Sequence, residues 1–423
     1  MRYKEYKKVD IPWLDEVPSH WEIQRIASVF NIRKEKNDPI KTEEVLSLSS
    51  KYGVTPYSEK KEKGGNKPKS DLTKYNLCYQ GDILVNCMNV VAGAVGISNY
   101  FGAVSPVYYP LVTNKYNNKF YMEYLFRNYD FQRGMVGLGK GIMMNESENG
   151  NLTTVRMRIS WDALKTLEIP VPPKEEQEQI ARFLDWEINE IDRMIEIKKN
   201  EIENSNDIWE SVLKDTLLNN KGNTKLKFMC DVISGKDVIE EVSYSEDAIP
   251  VFGSSNEPFK YTTKSMLNGE YIIFGRKGTI GKPYKLNGKF WIVDTAYAVK
   301  NKKNIKFDFL YFSLCALNWS AYTTQTALPS IVANEVIEEK IFCPSFEEQK
   351  IIAKKLNLIL NKITNFKLRL QSQINNLEQL KQSLISDVVT GKIDVRNISI
   401  PEYEKASDIE DDTILEESFN EEV

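Results

Sequence analysis

The sequence predicts an α+β chain that writes one plan twice. Two mixed, mostly β domains are joined by two long helices that pair antiparallel as a coiled coil, and a pseudo-twofold relates the copies. Three observations lead there. IPVPPKEEQEQIARFLD (169–185) and IFCPSFEEQKIIAKKLN (341–357), overlaid at an offset of 172, agree at eight of 17 positions: Ile169/Ile341, Pro172/Pro344, Glu175/Glu347, Glu176/Glu348, Gln177/Gln349, Ile180/Ile352, Ala181/Ala353 and Leu184/Leu356. Behind each junction, no proline or glycine occurs before Gly222 or Gly391. Ahead of each junction lie short β-like runs such as DILVN, YIIFG and FWIV, broken by Gly, Asn and Pro.

The β parts repeat as well. YQGDILVN (79–86) and LNGEYIIFG (267–275) share a Gly-acidic-apolar pattern, with Gly81 opposite Gly269 at an offset of 188. AGAVG (92–96) parallels KGTIG (277–281), and FYMEYLF (120–126) parallels FDFLYF (307–312). The offset drops to 172 by Ile159/Ile331, so the first copy carries extra residues, which the loop GLGKGIMMNESENGN (137–151) accommodates. A repeat this long is a duplicated unit, not a solenoid. The expected divisions are 1–168 and 222–343 for the two mixed domains, 169–221 and 344–396 for the two helical regions, and 397–423 for an acidic, disordered tail.

Each helical region offers a stretch of about 45 residues, roughly 65 Å at 1.5 Å per residue. Glu175 and Glu176 fall in the first turn, where carboxylates suit the positive end of the helix dipole. Ser345 with Glu348 has capping-box spacing. The paired glutamates are therefore expected to serve the helix starts in both copies. Apolar residues follow a heptad: Ile352, Leu356, Ile359, Ile363, Phe366, Leu370, Ile374, Leu377, Leu380, Leu384 and Val388 in the second copy. The first copy gives Ile180, Leu184, Ile188, Ile191, Ile195, Ile202, Trp209 and Val212, with Lys198 and Ser205 interrupting. So narrow a stripe asks for one partner helix, and the other copy supplies it.

Composition narrows the function. At 423 residues, 41% hydrophobic and 27% charged, the chain suits more than one globular domain. Its most apolar stretch, Phe307 to Tyr322, is too short to span a bilayer and contains Asp308 and Asn318. The polar N-terminus does not read as a signal peptide, and a cytoplasmic protein is expected. Five scattered cysteines (78, 87, 230, 315 and 343) argue against a disulfide framework or a zinc site, and His20 is the single histidine. The tail from 401 to 423 holds ten acidic residues against Lys405; removing its −9 from the chain's −4 leaves residues 1–400 at +5. A mildly basic body permits nucleic-acid binding.

Catalytic signatures are missing. VPPK lacks the polar residue and the aromatic of a methyltransferase N/D/S-P-P-aromatic motif. FGRKGTIGKP (274–283) has Arg276 where a phosphate loop needs its first glycine, and Pro283 follows Lys282. SEKKEK (58–63) holds Glu59-x-Lys61, a fragment of a nuclease motif without a partnered acidic site. What remains is hydrogen-bonding and cationic residues in small-residue turns, suited to phosphates and base edges. Two similar domains at a fixed spacing fit a duplex with two half-sites.

The duplicated P-x-x-E-E-Q-x-x-I-A (172–181 and 344–353), the closing VVTGKIDVR (388–396), IPVFGSSN (249–256), IIFGRKGTIGK (272–282) and YQGDILVNCMNVVAGAVGIS with GAVSPVYY (79–109) together resemble the specificity (S) subunits of type I restriction–modification systems. The resemblance covers the chain to about Arg396. It implies that 1–168 and 222–343 are target-recognition domains, each reading half of a bipartite site in double-stranded DNA. The helical regions are then the central and C-terminal conserved regions, which space the domains and dock two methyltransferase (M) subunits. The S subunit itself is non-catalytic and carries no cofactor. S-adenosylmethionine belongs to the M subunits, and ATP with Mg to the restriction (R) subunits. The junction VLKDTLLNNKG (212–222) departs from the fuller C-terminal pattern, and the acidic tail lies outside the match. By motif, the residues facing DNA are Ser49, Ser50, Lys51, Asn86, Met88 and Asn89 in the first copy. In the second they are Ser254, Ser255, Asn256, Arg276, Lys277 and Thr279. No catalytic or metal-binding residue is expected. Alternative readings are the recognition half of a split single-chain restriction–methylation enzyme and a coiled-coil protein-binding scaffold.

Overall fold

A computed structural model describes residues 2–404 except 51, 61–66, 89–92, 139, 142–144, 147–151, 154–156, 219–220, 239 and 325–328. Two compact units emerge. Unit 1 comprises Met1–Glu196 and the chain from Gln373 onward; unit 2 comprises Ile197–Ser372.

Unit 1 is organised by a four-stranded antiparallel sheet. Its strands are β1 (Phe30–Ile32), β2 (Ile83–Asn86), β3 (Val95–Ile97) and β4 (Tyr108–Thr113), in the order β1-β4-β2-β3. β2 is buried at every position, as expected of an apolar ILVN run between two neighbours. The turn leading into it uses Gly81 at φ +92° and is anchored by Asp82, which is buried and takes a bidentate pair from Arg33 at 2.7 and 2.8 Å. Helix α1 (Lys119–Arg127) follows β4; the Asn118 side chain caps it, accepting from the amides of Phe120 and Tyr121.

Unit 2 repeats this sheet. Strands β5 (Cys230–Ser234), β6 (Tyr271–Gly275), β7 (Tyr284–Leu286) and β8 (Ala296–Asn301) stand in the order β5-β8-β6-β7, also antiparallel. Gly269, the counterpart of Gly81, likewise takes positive φ, +110°. The repeated glycine is thus a turn requirement met twice. A second sheet in unit 2 joins Lys260–Thr262, Ile249–Phe252, Lys289–Ile292 and Leu267–Asn268 around Phe252, Phe290 and Ile292. Unit 1 instead uses the hairpin Leu46–Ser49/Gly53–Pro56 and the pair Asn76–Cys78/Gly102–Val104 over Leu46, Leu48, Val54 and Leu84.

The predicted long helices form as α2 (Lys174–Leu217) and α4 (Phe346–Val389), 44 residues each, with α3 (Phe307–Cys315) between them. In unit 1, Ile180, Phe183, Leu184 and Ile188 of α2 share a core with Ile385, Val388 and Val389 of α4, and Lys381 binds both Asp192 oxygens at 2.7 Å. In unit 2, Leu213 and Leu217 of α2 share a core with Ala353 and Leu356 of α4. In each unit the start of one long helix lies beside the end of the other, so they run antiparallel. The apolar stripe is not buried throughout: Phe366 and Leu380 are 45% and 53% exposed, because a 3.6-residue helix drifts off a strict heptad. Conversely Ser205, expected to interrupt the stripe, is buried, its hydroxyl donating to the Ile202 carbonyl at 2.6 Å.

In the 137–151 insertion, Lys140–Gly141 pairs with Met157–Arg158 and Asn145–Glu146 with Leu152–Thr153; most of its other residues lie outside the described ones. So do residues 405–423, most of the acidic tail. Beyond α4 the described chain turns back along α2, where Gln179 donates to the Val395 and Ile398 carbonyls at 3.0 and 2.8 Å.

Candidate nucleic-acid interface

The site is set by how each central strand ends. In unit 2, β6 runs into the loop 276–282. The Arg276 amide donates to Thr295 O at 2.8 Å, the Ile331 amide donates to Arg276 O at 2.9 Å, and the Tyr297 hydroxyl donates to Ile331 O at 3.4 Å. In unit 1, the Cys87 amide donates to Val107 O at 3.0 Å, the Ile159 amide to Cys87 O at 2.9 Å, and the Tyr109 hydroxyl to Ile159 O at 3.1 Å. These are the same three bonds in both copies. They lock the first residue after the central strand, so the loop beyond it springs from a rigid base.

A serine-bearing turn packs against this loop in unit 2 and against β3 in unit 1. In unit 2 the Ser254 hydroxyl accepts from the Thr279 amide at 3.3 Å. Gly275 leaves no room for a side chain, since a Cβ there would sit 2.1 Å from Thr279 O and 2.9 Å from Ser254 Cβ. Ser255, Asn256, Lys277 and Thr279 are exposed and Arg276 is half-buried, so two cations, two hydroxyls and a carboxamide share one surface. In unit 1 a Cβ on Gly96 of β3 would meet Gly53 Cα at 3.2 Å, which brings the turn 49–53 onto β3. The Ser49 hydroxyl accepts from the Tyr52 amide at 2.9 Å, and Ser50 is exposed.

The first-copy residues thus divide. Ser49 and Ser50 stand on the turn. Asn86 is buried at the end of β2 and its Oδ1 accepts from the Met88 amide at 3.0 Å, so it shapes the loop that half-buried Met88 begins. Lys51 and Asn89 lie outside the described residues. The unit-2 residues all come together. Sequence reasoning missed the supports beneath them, Thr295, Tyr297 and Ile331 with Val107, Tyr109 and Ile159. The available signal was the offset of 188 shared by Val107/Thr295 and Tyr109/Tyr297, beside the Ile159/Ile331 pair at 172.

Behind the site, the repeated junction ties each mixed domain to its long helix. Gln177 Oε1 accepts from the Asn118 amide at 2.8 Å and its Nε2 donates to Pro172 O at 2.7 Å. Gln349 repeats this with the Lys306 amide at 2.9 Å and Pro344 O at 3.0 Å. Each glutamine therefore joins the start of a long helix to the start of α1 or α3. The glutamates diverge. Glu348 closes the expected capping box, its carboxylate accepting from the Ser345 hydroxyl and amide at 2.7 and 3.0 Å, and these bonds lower its pKa. Glu176 does not serve its helix start. It is buried and accepts from Tyr3 (2.5 Å) and Trp21 (3.0 Å), with His20 Nε2 2.8 Å from its other oxygen. The N-terminal residues, for which unit 2 has no counterpart, fold over it and claim the carboxylate. Burial, then the Glu176 bond, pushes the Tyr3 hydroxyl far above its ordinary pKa.

Among the described residues, no group of three or more His, Cys, Asp or Glu is placed to hold a metal ion, and no helix is long and apolar enough to cross a membrane.

Comparison with known proteins gives a consistent result. A family model described as the type I restriction modification DNA specificity domain matches twice, over residues 18–204 and 219–411. The type I restriction enzyme EcoprrI specificity subunit of Escherichia coli is 31% identical over 138 residues, which span 31% of this chain and 33% of that protein. The type I restriction enzyme MjaVIII specificity subunit of Methanocaldococcus jannaschii is 24% identical over 438 residues, covering 90% of this chain and 95% of that one. In fold, the chain is similar (TM-score 0.69, 12% identity, 89% of this chain and 99% of the other) to a solved structure described by complex assembly and conformational transition of the type I R-M system.

Proposed function

The chain belongs to the type I restriction–modification DNA specificity family, whose specificity subunits are non-catalytic, and on that premise we propose that it reads a bipartite site in double-stranded DNA, one half per unit. The recurrence of one arrangement carries this reading: the residue that leaves the central strand is fixed in both units by the same three bonds, with a serine turn beside it, seated on the loop in unit 2 and on β3 in unit 1. Exposed side chains on a rigid base are what base reading requires, because a reader held loosely loses discrimination. In unit 2, Arg276 and Lys277 supply charge for phosphate or guanine, while Ser255, Asn256 and Thr279 offer adaptable hydrogen bonds. Ser50 and the loop beginning at Met88 take these places in unit 1.

The long helices dock two methyltransferase subunits, which bring S-adenosylmethionine and methylate adenine. Restriction subunits join with ATP and Mg, and the assembly works in the cytoplasm. The chain itself binds no cofactor and supplies recognition alone.

The test is to purify the chain with its neighbouring gene products and sequence methylated adenines in the source genome. A two-part methylated motif that vanishes when this chain is deleted is expected; methylation that persists unchanged would overturn the proposal. Alanine at both Arg276 and Lys277 should flatten the slope of log affinity against log salt by about 2, one phosphate contact each. An unchanged slope removes both from the interface.

A further inference from the structure

Each serine turn carries an aromatic ring that the proposed hydrogen-bonding set does not use. In unit 2 it is Phe259, in SSNEPF (254–259); in unit 1 it is Tyr52, in SSKY (49–52). Phe259 is 54% exposed and Tyr52 is 41% exposed. Five of the eleven phenylalanines of unit 2, Phe252, Phe274, Phe290, Phe309 and Phe312, are buried, while Phe228, Phe346 and Phe366 are exposed as Phe259 is.

Phe259 is exposed yet fixed. Its amide donates to Val251 O at 3.1 Å, so its backbone is part of the sheet edge. Pro258 precedes it and restricts the approach. Its ring edge lies 3.6 Å from where a Cβ on Gly253 would stand, and Gly253 adjoins Ser254, the residue that holds the Thr279 loop. Lys260 Nζ lies 6.0 Å from the ring centroid and also pairs with Glu241 at 2.7 Å. Tyr52 is anchored in the same sense, its amide held by the Ser49 hydroxyl.

An aromatic ring exposed on an anchored backbone at the rim of a hydrogen-bonding surface is costly to leave in water. Against DNA it has two uses. It stacks on an exposed base face, or it wedges a flexible base step open, which makes the energy of deforming that step part of the readout. We infer that Phe259 and Tyr52 are stacking contacts, one per half-site, that discriminate base steps by how readily they open. This rests on the DNA-reading proposal above and adds to it a second, shape-based source of specificity. The two rings differ in one respect: Tyr52 carries a hydroxyl able to hydrogen-bond a base edge or phosphate, and Phe259 does not.

The experiment uses the full chain assembled with its methyltransferase subunits. The genome's methylated motif is read first for wild type, then for Phe259→Ala, Phe259→Trp and Tyr52→Ala. Duplexes carrying the wild-type motif, with 2-aminopurine at successive positions, report unstacking by fluorescence. Phe259→Ala is expected to weaken binding about tenfold or more, the range of one lost stacking contact. It should also relax one or two positions in one half of the motif only and abolish the fluorescence rise there, and Phe259→Trp should restore all three. Tyr52→Ala should do the same in the other half. A wild-type motif, affinity and fluorescence in Phe259→Ala overturns the inference while leaving the DNA-reading proposal standing. If the wild-type assembly methylates no motif that depends on this chain, it is the DNA-reading proposal that fails. Uniform loss of binding across both halves, not rescued by tryptophan, also overturns the stacking role.

Discussion

At the first junction, Glu176 is buried beneath the N-terminal residues and gathers Tyr3, His20 and Trp21. At the second, its counterpart Glu348 is exposed and, among the described residues, its carboxylate bonds Ser345 alone. The neighbouring glutamines do the same work twice, each stitching a long helix to α1 or α3. A repeated motif is therefore not a repeated role. What decides is whether other parts of the chain arrive to compete for the side chain. Gln177 and Gln349 face an element that both copies possess. Glu176 faces residues 2–21, which only the first copy has.

That contrast can be broken by substitution. The largest loss is expected from Glu176→Ala, which strands the buried Tyr3 and Trp21 donors and frees His20, and should cost roughly 3 kcal/mol in unit 1. Because the chain has two units, the loss is best read by hydrogen exchange unit by unit rather than from one melting curve. Faster exchange confined to unit 1 is expected; a loss spread equally over both units would refute the local role of Glu176.

Gln177→Ala and Gln349→Ala should each cost about 2 kcal/mol, because each leaves a helix-start amide without its acceptor. Their near equality sharpens the comparison, and a difference as large as that between the two glutamates would undo it. Glu348→Ala removes only an exposed cap and should cost less than either glutamine, read as fraying of the first turn of α4.

The smallest effect belongs to Glu338, exposed between Lys225 and Lys227 at 2.7 Å from each, which hold its pKa down at about 2 from an ordinary 4.5. A carboxylate lowered on folding adds stability that is complete above its unfolded pKa and lost as pH falls through the folded one. Glu338→Gln should therefore lower the unit-2 melting temperature slightly at pH 7, and the difference should vanish between about pH 4.5 and 2. A gap that persists at pH 2 would assign the effect to something other than these ion pairs.

Much of the fold was legible in the residues. The long helices are visible because nothing in them breaks a helix and their apolar residues recur at helical spacing. Gly81 and Gly269 announced matching turns, and both adopt positive φ. The candidate site was legible in part. The turns carrying Ser254 and Thr279 could be paired by motif, and the structure places them in contact through one hydrogen bond. Thr295 and Ile331 could be aligned with their first-copy counterparts, but their bonding to the loop was not legible, since it comes from 19 and 55 residues downstream of Arg276 through backbone groups that every residue carries. The burial of Asn86 was hidden for a similar reason: a polar residue at a strand end looks alike whether it faces water or shapes a turn.

The sequence by itself determined the duplication, the two long helices, the glycine turns and the family. These rest on local rules, on periodicity and on order along the chain. Only tertiary structure decided the fate of Glu176 and the burial of Asn86. It also decided that the same three bonds fix the first residue after each central strand. Each of these depends on which distant group arrives beside a side chain, and a buried polar atom takes whichever partner arrives because leaving it unpaired costs more than any local preference supplies.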